Sequence, residues 1–261
     1  MLPSKDLFMN IAPIPAFSDN YIWMLERDGC VAVVDPGDAN PVLAVLTERG
    51  VTLDTIIITH HHFDHTGGVK ALKAATNCRV VGPDNPKIEG IDEKLVDGDV
   101  AHVLGYDFDV LEVPGHTLDH IALHCDDESV LFCGDTLFVG GCGRVFEGTF
   151  PMMQSSLAKL AALPPETAVY CTHEYTLANL AFAQKVEPQN EHLLAHIEEC
   201  EQMRAEGVPT VPSTIGRELN INPFLRWDSA AVAAQLNLEG RYTGQSPAEI
   251  FGAVRAWKDE G

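Results

Sequence analysis

The stretch Thr59-His60-His61-His62-Phe63-Asp64-His65 crowds four imidazoles and a carboxylate into one short segment. Neutral imidazole and carboxylate are ligands that suit Zn²⁺, Fe²⁺ and Mn²⁺. In an extended loop alternate side chains project to the same side. His60, His62 and Asp64 then fall together, and His61 falls opposite them. We take His60, His62, Asp64 and His65 as metal ligands and His61 as a bystander. Three protein ligands already make an open catalytic zinc site, so four so close together suggest two metals.

Further along the chain, three residues share the same local setting at the end of an apolar run. His116 stands in Val113-Pro114-Gly115-His116-Thr117, Asp135 in Cys133-Gly134-Asp135-Thr136, and His173 in Val169-Tyr170-Cys171-Thr172-His173. Each is weak alone. Together with the first cluster they describe a dinuclear cup presented by several strand ends, where a rigid scaffold aims loop side chains at one point.

The elements that must carry them follow from periodicity and breakers. Strands are expected over 21–26, 30–34, 55–58, 79–81, 107–113, 121–124, 130–133 and 168–171, and helices over 41–48, 68–75 and 152–162. Arg27-Asp28-Gly29 between the first two strands signals a hairpin. After His173 the pattern turns helical, over 176–186 and 190–206. A last helix starts at Ser246-Pro247-Ala248-Glu249, with Ser as N-cap and Glu249 as its capping-box partner. Pro-rich irregular stretches such as 208–213 lie between. The expected class is α+β, with a smaller C-terminal helical domain. No phosphate-cradling glycine motif is present.

Lys and Arg number 17 against 38 Asp and Glu, a net charge of −21 in 261 residues. That disfavours nucleic acid and demands a local reversal of field for any anionic substrate. No apolar run approaches the roughly 18 residues of a membrane span, and residues 1–10 lack the pattern of a secretory leader. The 7 cysteines are scattered, without a Cys-x-x-Cys. They read as reduced and mostly buried thiols in a cytoplasmic protein.

Thr-His-x-His-x-Asp-His, Pro-Gly-His-Thr, Gly-Asp-Thr and the later Thr-His together resemble the metallo-β-lactamase superfamily. The resemblance implies an αββα sandwich with metals at one sheet edge. It also implies that His60, His62 and His116 hold one metal, that Asp64, His65 and His173 hold the other, and that Asp135 bridges them. Ser18-Asp19-Asn20-Tyr21, Gly140-Gly141-Cys142-Gly143-Arg144, His173-Glu174-Tyr175-Thr176, Val186-Glu187-Pro188, 209–214 and Asn222-Pro223-Phe224-Leu225-Arg226 narrow the resemblance to glyoxalase II, the hydroxyacylglutathione hydrolases. This implies a catalytic domain over 1–173 and a glutathione-binding domain over 174–261, with Arg144, Tyr175, Arg255 and Lys258 as substrate contacts and Asn179 as an additional one. Phe146 stands where some members place a Tyr that touches the tripeptide, and it cannot donate that hydrogen bond.

The implied reaction is cleavage of the thioester of S-(2-hydroxyacyl)glutathione, chiefly S-D-lactoylglutathione, the second step of methylglyoxal detoxification. Two divalent ions, zinc first with iron or manganese as alternatives, would activate the water. Asp64 and Asp135 would orient it. A thiolate leaves without much acid help, because its conjugate thiol has a pKa of about 8.5. The enzyme is expected to act as a monomer. A glutathione persulfide dioxygenase, or another hydrolase of the superfamily, is the alternative; the seven-ligand set and the tail argue against both.

Around the ligands, Asp35 either accepts an imidazole N–H or is a plain turn residue before Pro36. His120 is read as structural, and His102, His124, His192 and His196 as surface or packing residues. Cys142 is read as part of a tight turn, not a nucleophile.

Overall fold

The computed structural model describes residues 9–241 and 244–261; residues 1–8, examined above for a leader, lie outside that range. One six-stranded sheet is made of β1 (Asn10–Ala16), β2 (Asn20–Arg27), β3 (Cys30–Val34), β4 (Thr52–Ile57), β5 (Arg79–Pro83) and β6 (Glu93–Leu95), in that order. The second is built from β7 (Val100–Val103), β8 (Tyr106–Glu112), β9 (Ile121–Cys125) and β10 (Val130–Gly134). After a two-stranded ribbon of β11 (Leu137–Phe138) and β12 (Gly141–Cys142), β13 (Ala168–Cys171) and β14 (Ser213–Thr214) complete it, in the order β14-β13-β10-β9-β8-β7. The helices are α1 (Ala39–Arg49), α2 (Phe63–Thr66), α3 (Val69–Thr76), α4 (Phe150–Ala161), α5 (Thr176–Val186), α6 (Glu191–Ala205), α7 (Ile215–Ile221), α8 (Ala230–Leu238) and α9 (Pro247–Asp259).

The αββα layering is written in strand alternation. Trp23, Leu25, Ala32, Val34, Ile57 and Val81 face the second sheet and pack with Phe108, Val110, Ile121 and Leu123. Their neighbours Ile22, Met24, Val31, Val33, Ile56, Ile58 and Val80 face the opposite way, onto Val42 and Leu46 of α1 and Val69 and Leu72 of α3. Strands buried on both faces lose the polar half of the pattern, which explains the unbroken apolar runs. α1 and α3 are the crossovers that join the parallel pairs β3/β4 and β4/β5.

Part of the tail shares the main core, while Leu180, Ala183, Leu193, Cys200 and Ile221 form a small cluster of their own. Phe182, Phe224, Phe251 and Val254 belong to the same apolar cluster as Leu131 and Cys133 of β10 and Met153 and Leu157 of α4. The Pro-rich stretch read as irregular ends in β14, which pairs with β13. β1 went unread because of Pro13 and Pro15. They are two apart on an edge strand, so both missing N–H groups fall on the unpaired side. α9 begins as expected: the Ser246 side chain accepts from Glu249 N while Glu249 reaches back to the cap.

At one end the two sheets are stitched by backbone hydrogen bonds. Ile121 N donates to Thr59 O at 2.9 Å, and Tyr21 N to Thr172 O at 2.7 Å. These bonds bring the loops after β4, β8, β10 and β13 onto one edge. No helix among the described residues is long and apolar enough to cross a membrane.

Candidate metal centre

The extended-loop reading of the first cluster needs one correction. His62 itself is extended, but Thr59 and His60 lie in a bend and Phe63–Thr66 form the helical turn α2, with His62 as its cap. His65 N and Thr66 N both donate to His62 O at 3.1 Å. Asp64 therefore reaches the cup from a helix, not by alternation. His61 does turn away, as expected, to Asp119 Oδ1 at 2.8 Å.

Seven side chains from four loops converge. His60 Nε2 and His116 Nε2 lie 3.1 and 3.0 Å from His62 Nδ1. A second group joins Asp64 Oδ2 to His65 Nε2 at 3.5 Å and to His173 Nε2 at 3.4 Å. Asp135 stands between them: Oδ1 is 3.4 Å from His65 Nε2, and Oδ2 is 3.5 Å from His116 Nε2 and 3.4 Å from His173 Nε2. Donors bound to one tetrahedral zinc at about 2.0–2.1 Å stand roughly 3.3–3.4 Å apart, close to these separations.

Two features show that the arrangement fits cations. His65 Nε2 and Asp135 Oδ1 are buried and face each other, yet neither has a hydrogen-bond partner. A buried polar atom is rarely left so. Second, among the described residues the ion-pair partners of Asp35, Asp64 and Asp135 are all histidines; no Lys or Arg is among them. Burial works against ionisation of the Asp135 carboxyl, but His65 and His173 hold it well below the usual range. Burial likewise opposes charge on His173, yet hydrogen bonds to Asp135 and Asp64 push it up to about 10. The cup is a place for positive charge, as bound cations would supply.

Three of the five imidazoles, those of His65, His116 and His173, are fixed from behind. His65 Nδ1 meets Asp35 Oδ2 at 3.0 Å, His173 Nδ1 meets Asp19 Oδ1 at 2.8 Å, and His116 Nδ1 meets Arg144 O at 2.8 Å. Such partners select the tautomer that offers Nε2 to a metal. Asp35 is thus a supporting acceptor and no mere turn residue. It also takes Thr59 N at 2.8 Å and Thr59 Oγ1 at 2.7 Å. Asp19 and Asn20, whose Nδ2 donates to Asp64 Oδ2 at 3.1 Å, entered the sequence reading only as part of the motif Ser18-Asp19-Asn20-Tyr21, with no role given to either.

The expected substrate contacts lie beside the cup. Tyr175 stacks on His173, with ring centroids 4.6 Å apart and planes at 3°. One turn along α5, Asn179 is 4% exposed; its Nδ2 donates to Val139 O at 3.1 Å and its Oδ1 accepts from Lys258 Nζ. Arg255 is not on a solvated face. It is 4% exposed and donates to Cys142 O at 3.2 Å and Asp259 Oδ1 at 2.8 Å, with Nε buried and unpaired. Arg144 is exposed; its Nε lies 3.8 Å from the same Asp259 oxygen and its guanidinium 5.7 Å from the Phe146 ring. Cys142 lies in β12, paired with Leu137, and not in the tight turn expected for it, which falls at 139–140; it is buried, and burial pushes its thiol up, which does not suit a nucleophile.

Fold and cup define a class. Residues 17–173 match the family model described as metallo-beta-lactamase superfamily. A solved structure of ETHE1 from Myxococcus xanthus superposes with a TM-score of 0.65 at 25% identity, covering 96% of this chain and 98% of that one. Within the class, residues 174–261 match the model for the hydroxyacylglutathione hydrolase C-terminus. A hydroxyacylglutathione hydrolase of Chromohalobacter salexigens is 53% identical, covering 96% of this chain and 99% of its own length. One from Pseudomonas fluorescens is 51% identical, with 97% and 99% covered. The chain belongs to the hydroxyacylglutathione hydrolase family.

Proposed function

We propose that this protein hydrolyses the thioester of S-(2-hydroxyacyl)glutathione, with S-D-lactoylglutathione the leading substrate, releasing glutathione and D-lactate. The observation that carries the reading is the strip that leaves the cup at His173, passes over Tyr175 and reaches Lys258 and Arg144. It joins a hydrolytic centre to cations on a protein whose net charge is −21. We assign His60, His62 and His116 to one divalent ion, Asp64, His65 and His173 to a second, and Asp135 to both. We further divide the chain into a catalytic part, 1–173, and a glutathione-binding part, 174–261.

When bound, the ions supply a water made nucleophilic at neutral pH and a Lewis acid for the thioester carbonyl. The chain supplies the rest. Asp64 and Asp135 would orient the nucleophile, their carboxylate oxygens accepting a hydrogen bond from its O–H. Tyr175 offers an aromatic wall to the thiol end of the substrate, while Lys258 and Arg144 attract the glycine carboxylate. Phe146 contributes surface in place of a hydroxyl. Arg255 and Asn179, both buried, hold Asp259 and Lys258 in place. The thiolate departs without a dedicated acid.

Zinc is our first choice, with iron and manganese next, because imidazole and carboxylate suit all three. The cysteines are free and six of the seven are buried, which supports a reducing, cytoplasmic compartment; we take the active form to be a monomer. Loss of thioester absorbance without oxygen, its abolition by a chelator and its return with metal test the proposal. An oxygen requirement would instead favour the persulfide dioxygenase reading. Elemental analysis finding one transition ion or fewer in fully active protein would refute the dinuclear assignment.

A further inference from the structure

We infer that His120 is a positioning residue for the metal centre, which locks the shared carboxylate Asp135 to the first donor group; the inference rests on the metal reading above. His120 is fully buried just before β9 and belongs to none of the donor groups that could hold an ion. Its ring lies flat on His60, with centroids 4.5 Å apart and planes at 16°. Its Nε2 accepts the backbone N–H of Asp135 at 3.1 Å. Its Nδ1 lies 3.1 Å from Ile121 O and donates to it. The two bonds together fix one tautomer, with the lone pair on Nε2.

One ring therefore touches a residue of the first group by its face and the backbone of the bridging residue by its edge. The backbone is shaped for this contact. Gly134 adopts φ +47°, and a Cβ there would stand 2.8 and 2.9 Å from His120 Cε1 and Nε2 and would strike Thr59 Oγ1 as well. Only glycine combines that dihedral with so close an approach. Asp135 needs a fixed backbone because its Oδ2 stands 3.5 Å from His116 of the first group and 3.4 Å from His173 of the second, while its Oδ1 faces His65. If its N–H loses its acceptor, the turn can rotate and one oxygen leaves its place. His120 acts through Asp135 and touches no reacting atom.

His120→Phe keeps a flat ring against His60 and removes the acceptor. His120→Gln removes the ring and keeps an oxygen able to reach the Asp135 N–H. In His120→Phe we expect metal retention against a chelator to fall by about tenfold or more, kcat to fall with KM unchanged, and the Asp135 amide of the metal-free protein to exchange faster. His120→Gln should recover most of all three. Parental retention and parental Asp135 exchange in folded His120→Phe would overturn the inference. So would a folded His120→Gln that loses metal as badly as His120→Phe. Should His120→Phe not fold, His120→Gln decides alone: retained metal with a protected Asp135 amide supports the role, and lost metal with a parental fold refutes it. A parent protein that never takes up two ions sinks the metal reading instead, and exchange at Asp135, read without metal, still judges this one.

Discussion

His65 Nε2 and Asp135 Oδ1 face each other at 3.4 Å in a buried site, and neither makes a hydrogen bond. Two groups that could satisfy each other with a slight shift are held apart by their supports, Asp35 behind the imidazole and His120 behind the Asp135 backbone. The gap between them is the shape of a cation site.

Asp135→Asn should uncouple the two donor groups. Asn keeps the volume and loses the charge that both groups share. We expect no more than one tightly held ion per chain, and kcat/KM lowered roughly a hundredfold or more, about 3 kcal/mol of transition-state stabilisation. Elemental analysis and the thioester assay check both; full metal content with full activity would reject the bridging role.

The supports should rank by burial. Asp35 is 2% exposed and accepts three hydrogen bonds from Thr59 and His65. Asp19 has a side chain 32% exposed, so water can replace it behind His173. Asp35→Asn is expected to weaken metal retention by about 10–100-fold, and Asp19→Asn by less. Chelator competition on the two variants gives the order, and equal losses would show that exposure does not set the contribution.

Lys258, proposed to attract the substrate's carboxylate, should give substrate binding a pH dependence. Burial and the neighbouring Arg255 lower its ammonium to about 8. It is charged below that value and neutral above it, so attraction to a carboxylate is strong at low pH and fades as pH rises. KM should climb between about pH 7 and 9 while kcat does not follow it. Lys258→Met should show a raised KM that no longer varies over that window. A pH-independent KM in the parent would remove Lys258 from substrate binding.

Glu218 sets a pH dependence of stability. It is fully buried beneath the β11–β12 ribbon, where it accepts from Gly140 N at 2.8 Å, Ser213 Oγ at 2.6 Å and Asn222 Nδ2 at 3.0 Å. Burial outweighs these donors and raises its carboxyl from 4.5 to about 7. The folded chain then binds a proton that the unfolded chain releases between those values. This contribution is fully present below about pH 4.5, shrinks as pH rises and is gone above about pH 7, with a span of about 3 kcal/mol. Glu218→Gln should flatten that part of the stability curve in denaturant melts at several pH values; a parental slope in the variant would contradict it.

Much of the centre was legible because its signals are local. A donor at a strand end beside a glycine can be read from a few residues, as His116 and Asp135 show, and the Ser246–Glu249 box marks α9 within four. Errors arose where a local rule met a competing one. Alternation placed Asp64 correctly on the cup side for the wrong reason, since α2 is a helical turn. The resemblance brought Arg255 and Lys258 to the substrate, but could not reveal that Arg255 donates to Cys142 O and Lys258 to Asn179 Oδ1. Asp19 and His173 are 154 residues apart, so neither neighbourhood carries a trace of the other.

The sequence alone therefore determined the donor chemistry, the elements that carry it and the family, since residue type and short-range periodicity are properties of the chain. Only the tertiary structure decided how the donors converge, which acceptor stands behind His65, His116 and His173, and which of the expected substrate-binding cations stay exposed. Those depend on how two sheets meet at one edge, at bonds such as Ile121 N to Thr59 O, and that meeting is set by burial of both sheet faces at once.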